Sequence, residues 1–277
     1  MSNQTHLDSL LARTAYWIAA VRAQESARED RLFDDPWADA LAGPGGMEWI
    51  AGRAPHALIP IVVRTRFFDD FLQRVTVEDG IRQIVTVAAG FDTRAFRLRW
   101  PDGLRFFELD QASVLEHKEH ILSEAGAQPR CERFAIVADL AANWEAALDD
   151  AGFDARRPAA WLMEGLLFYL PPERLAELLE RAMAHAAARS RLGFDVINRS
   201  ALTSAITREW VEMQAQSGAP WLGTMDNPQK FLEARGWKAR AVMMGGREAN
   251  YGRWPYPVIP AMVPGIPRLW FVIGENE

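Results

Sequence analysis

Beyond Gly80 short, continuously apolar runs alternate with helical stretches, and this pattern constrains the fold more than any other feature. The runs are Gln83 to Ala89, Leu104 to Leu109, Phe134 to Val137, Trp161 to Met163 and Arg191 to Val196. Between them lie helical candidates at Ser113 to Glu124, Trp144 to Ala151 and Pro172 to Ala187. Strands alternating with helices of about ten to fifteen residues predict a parallel sheet built from βαβ units. Continuous apolarity predicts strands covered by helices on both faces.

The flanks read differently. From Leu7 to Ala27, apolar residues recur at Leu10, Leu11, Trp17, Ile18 and Val21, one face of a helix. Phe33-Asp34-Asp35-Pro36 breaks that pattern, and Pro36 suits the first turn of a short helix to Leu41. Gly43-Pro44-Gly45-Gly46 predicts a flexible loop, followed by a long helix over Ala57 to Val77. Near the C-terminus, Ala201 to Gln216 and Asn227 to Arg235 predict helices, while Lys238 to Met244 and Leu269 to Ile273 predict closing strands. Five prolines stiffen the loop Trp254 to Pro267. The expectation is a single α/β domain over residues 1–277, with 1–80 as a helical cap and 81–277 as the sheet core.

Composition narrows the class. Of 277 residues, 49% are apolar and 25% charged, the balance of a globular chain with a real core. A net charge of -6 argues against a nucleic-acid footprint. No apolar stretch approaches the roughly 20 residues of a bilayer span, and Met1 to Arg13 lacks the pattern of an export signal. One cysteine, Cys131, allows neither an internal disulfide nor a Cys-based zinc site. A cytoplasmic setting and no metal are expected.

The chemistry concentrates in Ile84 to Arg94. A buried strand running into a small-residue turn, Ala88-Ala89-Gly90, makes room for a nucleotide-like ligand. Twenty residues past Gly90, Asp110 ends the next strand, where a carboxylate can accept both hydroxyls of a ribose. The same residues also fit a tight βαβ turn with Asp110 as a helix N-cap before Ala112. A dinucleotide needs glycine-lined amides for its pyrophosphate, and Phe91-Asp92-Thr93-Arg94 sets bulk and a carboxylate there instead. Asp92 repels phosphate and suits a cationic ligand, which favours S-adenosyl-L-methionine over NAD.

Four runs then carry a resemblance: Arg64-Thr65-Arg66-Phe67-Phe68-Asp69-Asp70, Ala89-Gly90-Phe91-Asp92-Thr93-Arg94, Phe107-Glu108-Leu109-Asp110-Gln111 and Glu164-Gly165-Leu166-Leu167-Phe168-Tyr169-Leu170-Pro171. In this order they resemble the leucine carboxyl methyltransferase family, S-adenosyl-L-methionine-dependent O-methyltransferases. The bacterial branch, with its tetracenomycin-type polyketide carboxyl methyltransferases, fits best. Tyr251-Gly252-Arg253-Trp254-Pro255 and Pro264-Gly265-Ile266-Pro267-Arg268 extend the likeness to the C-terminus. The resemblance implies a Rossmann-like class I methyltransferase sheet, mostly parallel with an antiparallel edge strand, under an N-terminal helical cap.

It also implies roles. Arg64 would pair with the methionyl carboxylate, unless it forms a surface ion pair with Asp69 or Asp70; Arg66, on a different helix face, would be the spare arginine that caps that acidic pair. Ala88 and Gly90 would floor the cofactor, and Asp110 would hold the ribose, with Gln111 beside it. Asp139 and Leu140 would meet the adenine, unless Asp139 caps the helix before Asn143. Glu164 would face the methionyl amine. Tyr169 would line the acceptor pocket or serve as a core tyrosine. The family's Gly-x-Gly is Ala88-Ala89-Gly90 here, and the extra methyl would push the cofactor outward or weaken its binding.

Methyl transfer from a sulfonium is an in-line displacement that mainly requires alignment. A carboxylate acceptor is ionised at pH 7 and needs no base, whereas a phenol would need one. Of His6, His56, His117, His120 and His185, only His56 falls near a pocket; His117 sits among solvent-facing neighbours. The expectation is therefore O-methylation of a small-molecule carboxylic acid, polyketide-like, releasing S-adenosyl-L-homocysteine. Arg22, Tyr169 and Trp254 would contact the acceptor, although Arg22 and Glu25 could simply pair. Of the eleven tryptophans, Trp17, Trp37, Trp210, Trp221 and Trp254 fall outside the core strands and would either give that pocket aromatic walls or pack plainly in the core. A phenolic O-methyltransferase, a catalytically silent binding subunit and a NAD-dependent oxidoreductase are the alternatives.

Overall fold

A computed structural model gives the fold; it describes residues 2–277, with side chains described over 14–54 and 57–277. The chain divides into two units, residues 1–153 and 154–277.

The first unit opens with α1 (Ser2–Ser26), α2 (Ala38–Ala51) and α3 (Pro55–Val77). Then come β1 (Gln83–Val87), α4 (Arg94–Arg97), β2 (Arg105–Asp110), α5 (Ala112–Glu124), β3 (Glu132–Val137) and α6 (Trp144–Asp150). The three strands pair in parallel in the order β3-β2-β1, with Val87 opposite Leu109 and Asp110 opposite Val137. β1 is buried at every position, as its unbroken Ile-Val-Thr-Val run predicts. β3 departs from that expectation: its register is edge-like, Val137 is exposed, and only Ile136 is fully buried. β3 ends the strand order beside β2, and its exposed Glu132 carries a charge of the kind that keeps an edge from recruiting another strand.

The glycine-rich segment departs from expectation as well. Gly43-Pro44-Gly45-Gly46 is not a loop but lies within α2, kinked at Gly43 (φ 56°, ψ −177°), a conformation glycine tolerates. Pro44 then restarts the helix at a position where its missing N–H is harmless. A Cβ on Gly46 would stand 2.6 Å from the Tyr16 carbonyl oxygen, so this glycine lets α2 press directly on α1. Trp17 stacks on Trp49 at 4.7 Å in the same contact and is core, not pocket wall.

The second unit contains β4 (Ala160–Met163), a 3-10 turn (Leu167–Tyr169), α7 (Pro172–Ala184), β5 (Arg191–Ile197), α8 (Ser200–Thr203), α9 (Arg208–Gln216), α10 (Pro228–Glu233), β6 (Trp237–Met243) and β7 (Leu269–Asn276). β4 and β5 are parallel, and β7 runs antiparallel to both β5 and β6, in the order β4-β5-β7-β6. In α7, Leu175, Leu178, Leu179, Ala182 and Met183 are buried at helical spacing, the stripe that packs a helix on a sheet. The predicted helix Ala201 to Gln216 is broken. Ser204 turns extended, its hydroxyl accepts the Ile206 amide, and Thr207 Oγ1 donates to the Ala201 carbonyl. Such local side-chain bonds compete with the helical ladder.

Among the described residues, seven strands, mostly parallel with an antiparallel edge, and flanking helices give a mixed α/β sheet fold. Among the described residues, no helix is long and apolar enough to cross a membrane.

Candidate active site

The ends of β1, β2 and β3 meet at their carboxyl side, where open α/β sheets bind ligands. After Val87 the chain turns through Ala88 (φ 55°) and Gly90 (φ 53°). The Ala89 amide donates to the Leu109 carbonyl at 3.0 Å, and the Gly90 amide to Asp110 Oδ2 at 2.6 Å. Asp110 Oδ1 accepts the Gln111 amide at 2.7 Å, and the Ala138 amide donates to the Asp110 carbonyl at 2.9 Å. Ala88, Gly90, Asp110 and Gln111 thus come together, with Asp139 one residue beyond the β3 contact. Asp110 is not an N-cap: Gln111 holds that position, and α5 has no side-chain cap.

Each carboxylate oxygen accepts about two hydrogen bonds, so with one amide apiece Asp110 keeps capacity for a pair of hydroxyls. Burial pushes its carboxyl up from the ordinary range, and the Gly90 and Gln111 amides hold that rise back. A half-buried carboxylate beside a turn of small residues fits a nucleoside ribose. Ala88 adopts the left-handed conformation that the family's glycine would favour, so its methyl is accommodated at the cost of strain.

Asp92 requires a correction. It does not present a free carboxylate to a cationic ligand: Oδ2 accepts Arg94 Nη1 at 2.7 Å, and Oδ1 accepts the Arg94 amide at 2.7 Å. Burial would raise its pKa, but Arg94 and Lys118 outweigh it and hold the group at about 2. Arg94 Nε also donates to Asp69 Oδ1 at 2.7 Å, and Arg97 grips the Asp69 carboxylate bidentately, at 2.7 Å on each oxygen. Asp69 therefore anchors the segment after the turn to α3. Arg66 pairs with Asp70 at 2.9 Å, as expected of the spare arginine, and Arg64 on α3 is buried, at 7% exposure.

Arg22 and Glu25 do not pair with each other. Arg22 donates to Asp35 Oδ2 at 2.8 Å and to the Phe91 carbonyl at 2.6 Å; Glu25 accepts the Leu32 amide at 2.7 Å. The expected acceptor contact at Arg22 thus sits inside the protein, against the turn. His117 does not face solvent either. It lies half-buried against Tyr16 and Phe91, with ring centroids 5.1 and 5.2 Å away, and burial pushes its pKa down.

A family model for leucine carboxyl methyltransferases matches residues 15–183, which hold Arg64, the turn, Asp110, Asp139 and Glu164. The chain belongs to that family. A Streptomyces coelicolor protein whose name calls it a putative S-adenosyl-L-methionine-dependent methyltransferase is 38% identical over 258 residues, covering 89% of each chain. Among solved structures, a DUF574 family protein from Streptomyces avermitilis aligns at a TM-score of 0.63 and 15% identity, over 94% of this chain and 97% of that one. The magnesium protoporphyrin IX methyltransferase of Synechocystis PCC 6803, solved with bound SAH, aligns at 0.50 and 13%, over 84% and 94%. At those identities the structures speak for the fold: this family member has the class I methyltransferase sheet.

The remaining expected residues of this leucine carboxyl methyltransferase family member fall as follows. Asp139 is exposed and accepts the Ala141 amide at 2.8 Å, while Asn143 itself caps α6 through the Ala146 amide. Leu140 is half-buried beside it. In the second unit, Glu164 follows β4 and is half-buried, and Tyr169 is buried against Phe168 at 4.8 Å. Trp254 packs so tightly on Gly245 that any Cβ there would overlap its ring. The His56 side chain lies outside the described residues. Among the described residues, no group of three or more His, Cys, Asp or Glu could hold a metal ion.

Sequence reasoning gave Asp35 and Arg97 no part in this region, and it named Thr93 and Asp69 without their partners there. The sequence carries no signal that separates Asp35 from Asp34; only the fold shows Asp35 turned inward, at 2% exposure, where a buried acid needs partners.

Proposed function

We propose that the protein is an S-adenosyl-L-methionine-dependent O-methyltransferase that esterifies the carboxylate of a small, polyketide-like acid, with residues 1–277 acting as one catalytic domain in the cytoplasm. The observation that carries this reading is the Gly90 amide on the Asp110 carboxylate, which joins the small-residue turn to the acid closing β2. Membership of the leucine carboxyl methyltransferase family supports the choice of a carboxyl oxygen.

Asp110 holds the ribose hydroxyls through its remaining lone pairs, with Gln111 beside it. Ala88 and Gly90 let the backbone approach the nucleoside closely. Arg64 meets the methionyl carboxylate with its planar fork, Glu164 faces the methionyl amine, and Asp139 and Leu140 meet the adenine. When bound, S-adenosyl-L-methionine supplies a methyl group activated by its sulfonium charge, leaving S-adenosyl-L-homocysteine. The chain's own task is to align and desolvate the acceptor. A carboxylate acceptor arrives ionised at pH 7, so no residue has to take a proton from it. Tyr169 and Trp254 are assigned to the acceptor side.

The test is incubation with methyl-labelled cofactor and a panel of aromatic and aliphatic carboxylic acids beside matched phenols. A labelled product that hydrolyses in mild alkali is expected. A base-stable labelled ether, with no ester, would move the reading to phenolic O-methylation.

A further inference from the structure

We infer that Asp35 is a positioning residue for the cofactor turn, acting through Arg22 and Thr93; this rests on reading the turn as the S-adenosyl-L-methionine site. Asp35 lies in the loop between α1 and α2 and is almost wholly buried. One of its oxygens, Oδ2, accepts both Arg22 Nε at 2.8 Å and Thr93 Oγ1 at 2.7 Å. From the other end of its guanidinium, Arg22 Nη2 donates to the Phe91 carbonyl at 2.6 Å. Two points of the turn, the Phe91 carbonyl and the Thr93 hydroxyl, are therefore tied to a single buried carboxylate.

Asp35 is itself fixed. Its amide donates to Ser26 Oγ at 2.8 Å, that hydroxyl donates to the Arg22 carbonyl at 2.7 Å, and Oδ1 accepts the Trp37 amide at 3.3 Å. The carboxylate thus has a defined place from which to hold something else. What it holds needs holding: Ala88 and Gly90 both run at positive φ, and a non-glycine residue there stays only where its surroundings over-determine it. A buried ion pair contributes weakly to stability once its desolvation is charged against it, so geometry is the better account of this one. Thr93 is also the residue before α4, so the bond sets where the turn ends and that helix begins.

A plain staple between α1 and the sheet would cost stability when cut and leave cofactor affinity alone. A positioning residue would cost affinity in protein that is still folded. The test is calorimetric titration of the full chain with S-adenosyl-L-homocysteine, well below the unfolding transition measured for each variant. Thr93→Val keeps the shape and removes only the hydroxyl. It should weaken binding about tenfold, about 1.4 kcal/mol, and Thr93→Ser should bind within about twofold of wild type. Asp35→Asn should weaken binding at least as much as Thr93→Val. If Asp35→Asn does not fold, the Thr93 pair decides. Folded Thr93→Val that binds as wild type does would overturn the inference and leave the site reading standing. Wild type that binds no S-adenosyl-L-homocysteine would overturn the site reading, and this inference with it.

Discussion

The Gly90 amide donates to Asp110 Oδ2 at 2.6 Å, across twenty residues of sequence, and so joins the turn after β1 to the end of β2. The partner oxygen takes the Gln111 amide. One carboxylate therefore fixes the backbone on both sides, the turn after β1 and the start of α5. Asp110→Ala should lose two charge-assisted bonds to the ribose, worth about 1.5–3 kcal/mol each, and weaken S-adenosyl-L-homocysteine by more than tenfold. The same change strips the Gly90 amide of its acceptor, so urea unfolding should also show a loss of about 1–3 kcal/mol. Unchanged affinity in folded Asp110→Ala would contradict the ribose assignment.

Ala88 occupies a left-handed conformation at φ 55°. That costs an L-residue about 1–2 kcal/mol, against about 0.5–1 kcal/mol of extra chain entropy lost by a glycine. Ala88→Gly should accordingly stabilise the protein by about 0.5 kcal/mol and bind S-adenosyl-L-homocysteine at least as tightly. A lower urea midpoint would mean the alanine is not strained.

Asp69 accepts one bond from Arg94 and two from Arg97, and all three side chains are nearly inaccessible. Removing one partner of a buried ion pair leaves charge without compensation, typically costing about 3–5 kcal/mol. Asp69→Ala should therefore be markedly less stable than Asp70→Ala, whose Arg66 pair is half-exposed. Comparable urea midpoints for the two variants would refute this ranking.

Asp92 is held at about 2 in the folded chain, against an ordinary 3.8. A depressed folded pKa means stabilisation that is present above the unfolded value and lost as pH falls through the folded one. Asp92 should thus contribute about 2 kcal/mol at neutral pH, lost between about pH 4 and pH 2. Asp92→Asn should flatten that acid limb in urea titrations across the window. An acid limb identical to wild type would assign the loss to other carboxylates.

Burial, and secondarily Glu108, push the Cys131 thiol up to about 12. At pH 8 the native chain should react slowly with a disulfide reagent, because the thiolate is the nucleophile. Unfolding in urea should release one fast-reacting thiol per chain. Fast reaction of native protein would show the thiol is more open than this.

Much of this was legible in the sequence. The apolar runs located the described strands to within a few residues, most sharply β1 and β4, which are buried at every position and have no charged residues to blur their ends; β3, largely exposed, was found by its place in the alternation of strand and helix. Helix ends and breaks were harder, since they rest on local bonds. Gly43 reads as a loop until Gly46 is seen against the Tyr16 carbonyl, and Ser204 reads as helix until its hydroxyl turns to Ile206. Spacing put Gly90 and Asp110 at the ends of neighbouring strands, and they meet there. It could not assign partners to charged residues. Asp92 was read as facing ligand because Arg94 follows so closely that their pairing left no periodic trace, and Arg22 finds Asp35 and Phe91 only through the tertiary fold.

The most direct test of the cofactor site is calorimetry of the wild-type chain with S-adenosyl-L-homocysteine and, separately, with NAD. The account predicts saturable binding of the first at one site per chain and no detectable heat from the second. Saturable binding of NAD, or no binding of S-adenosyl-L-homocysteine to folded protein, would contradict it.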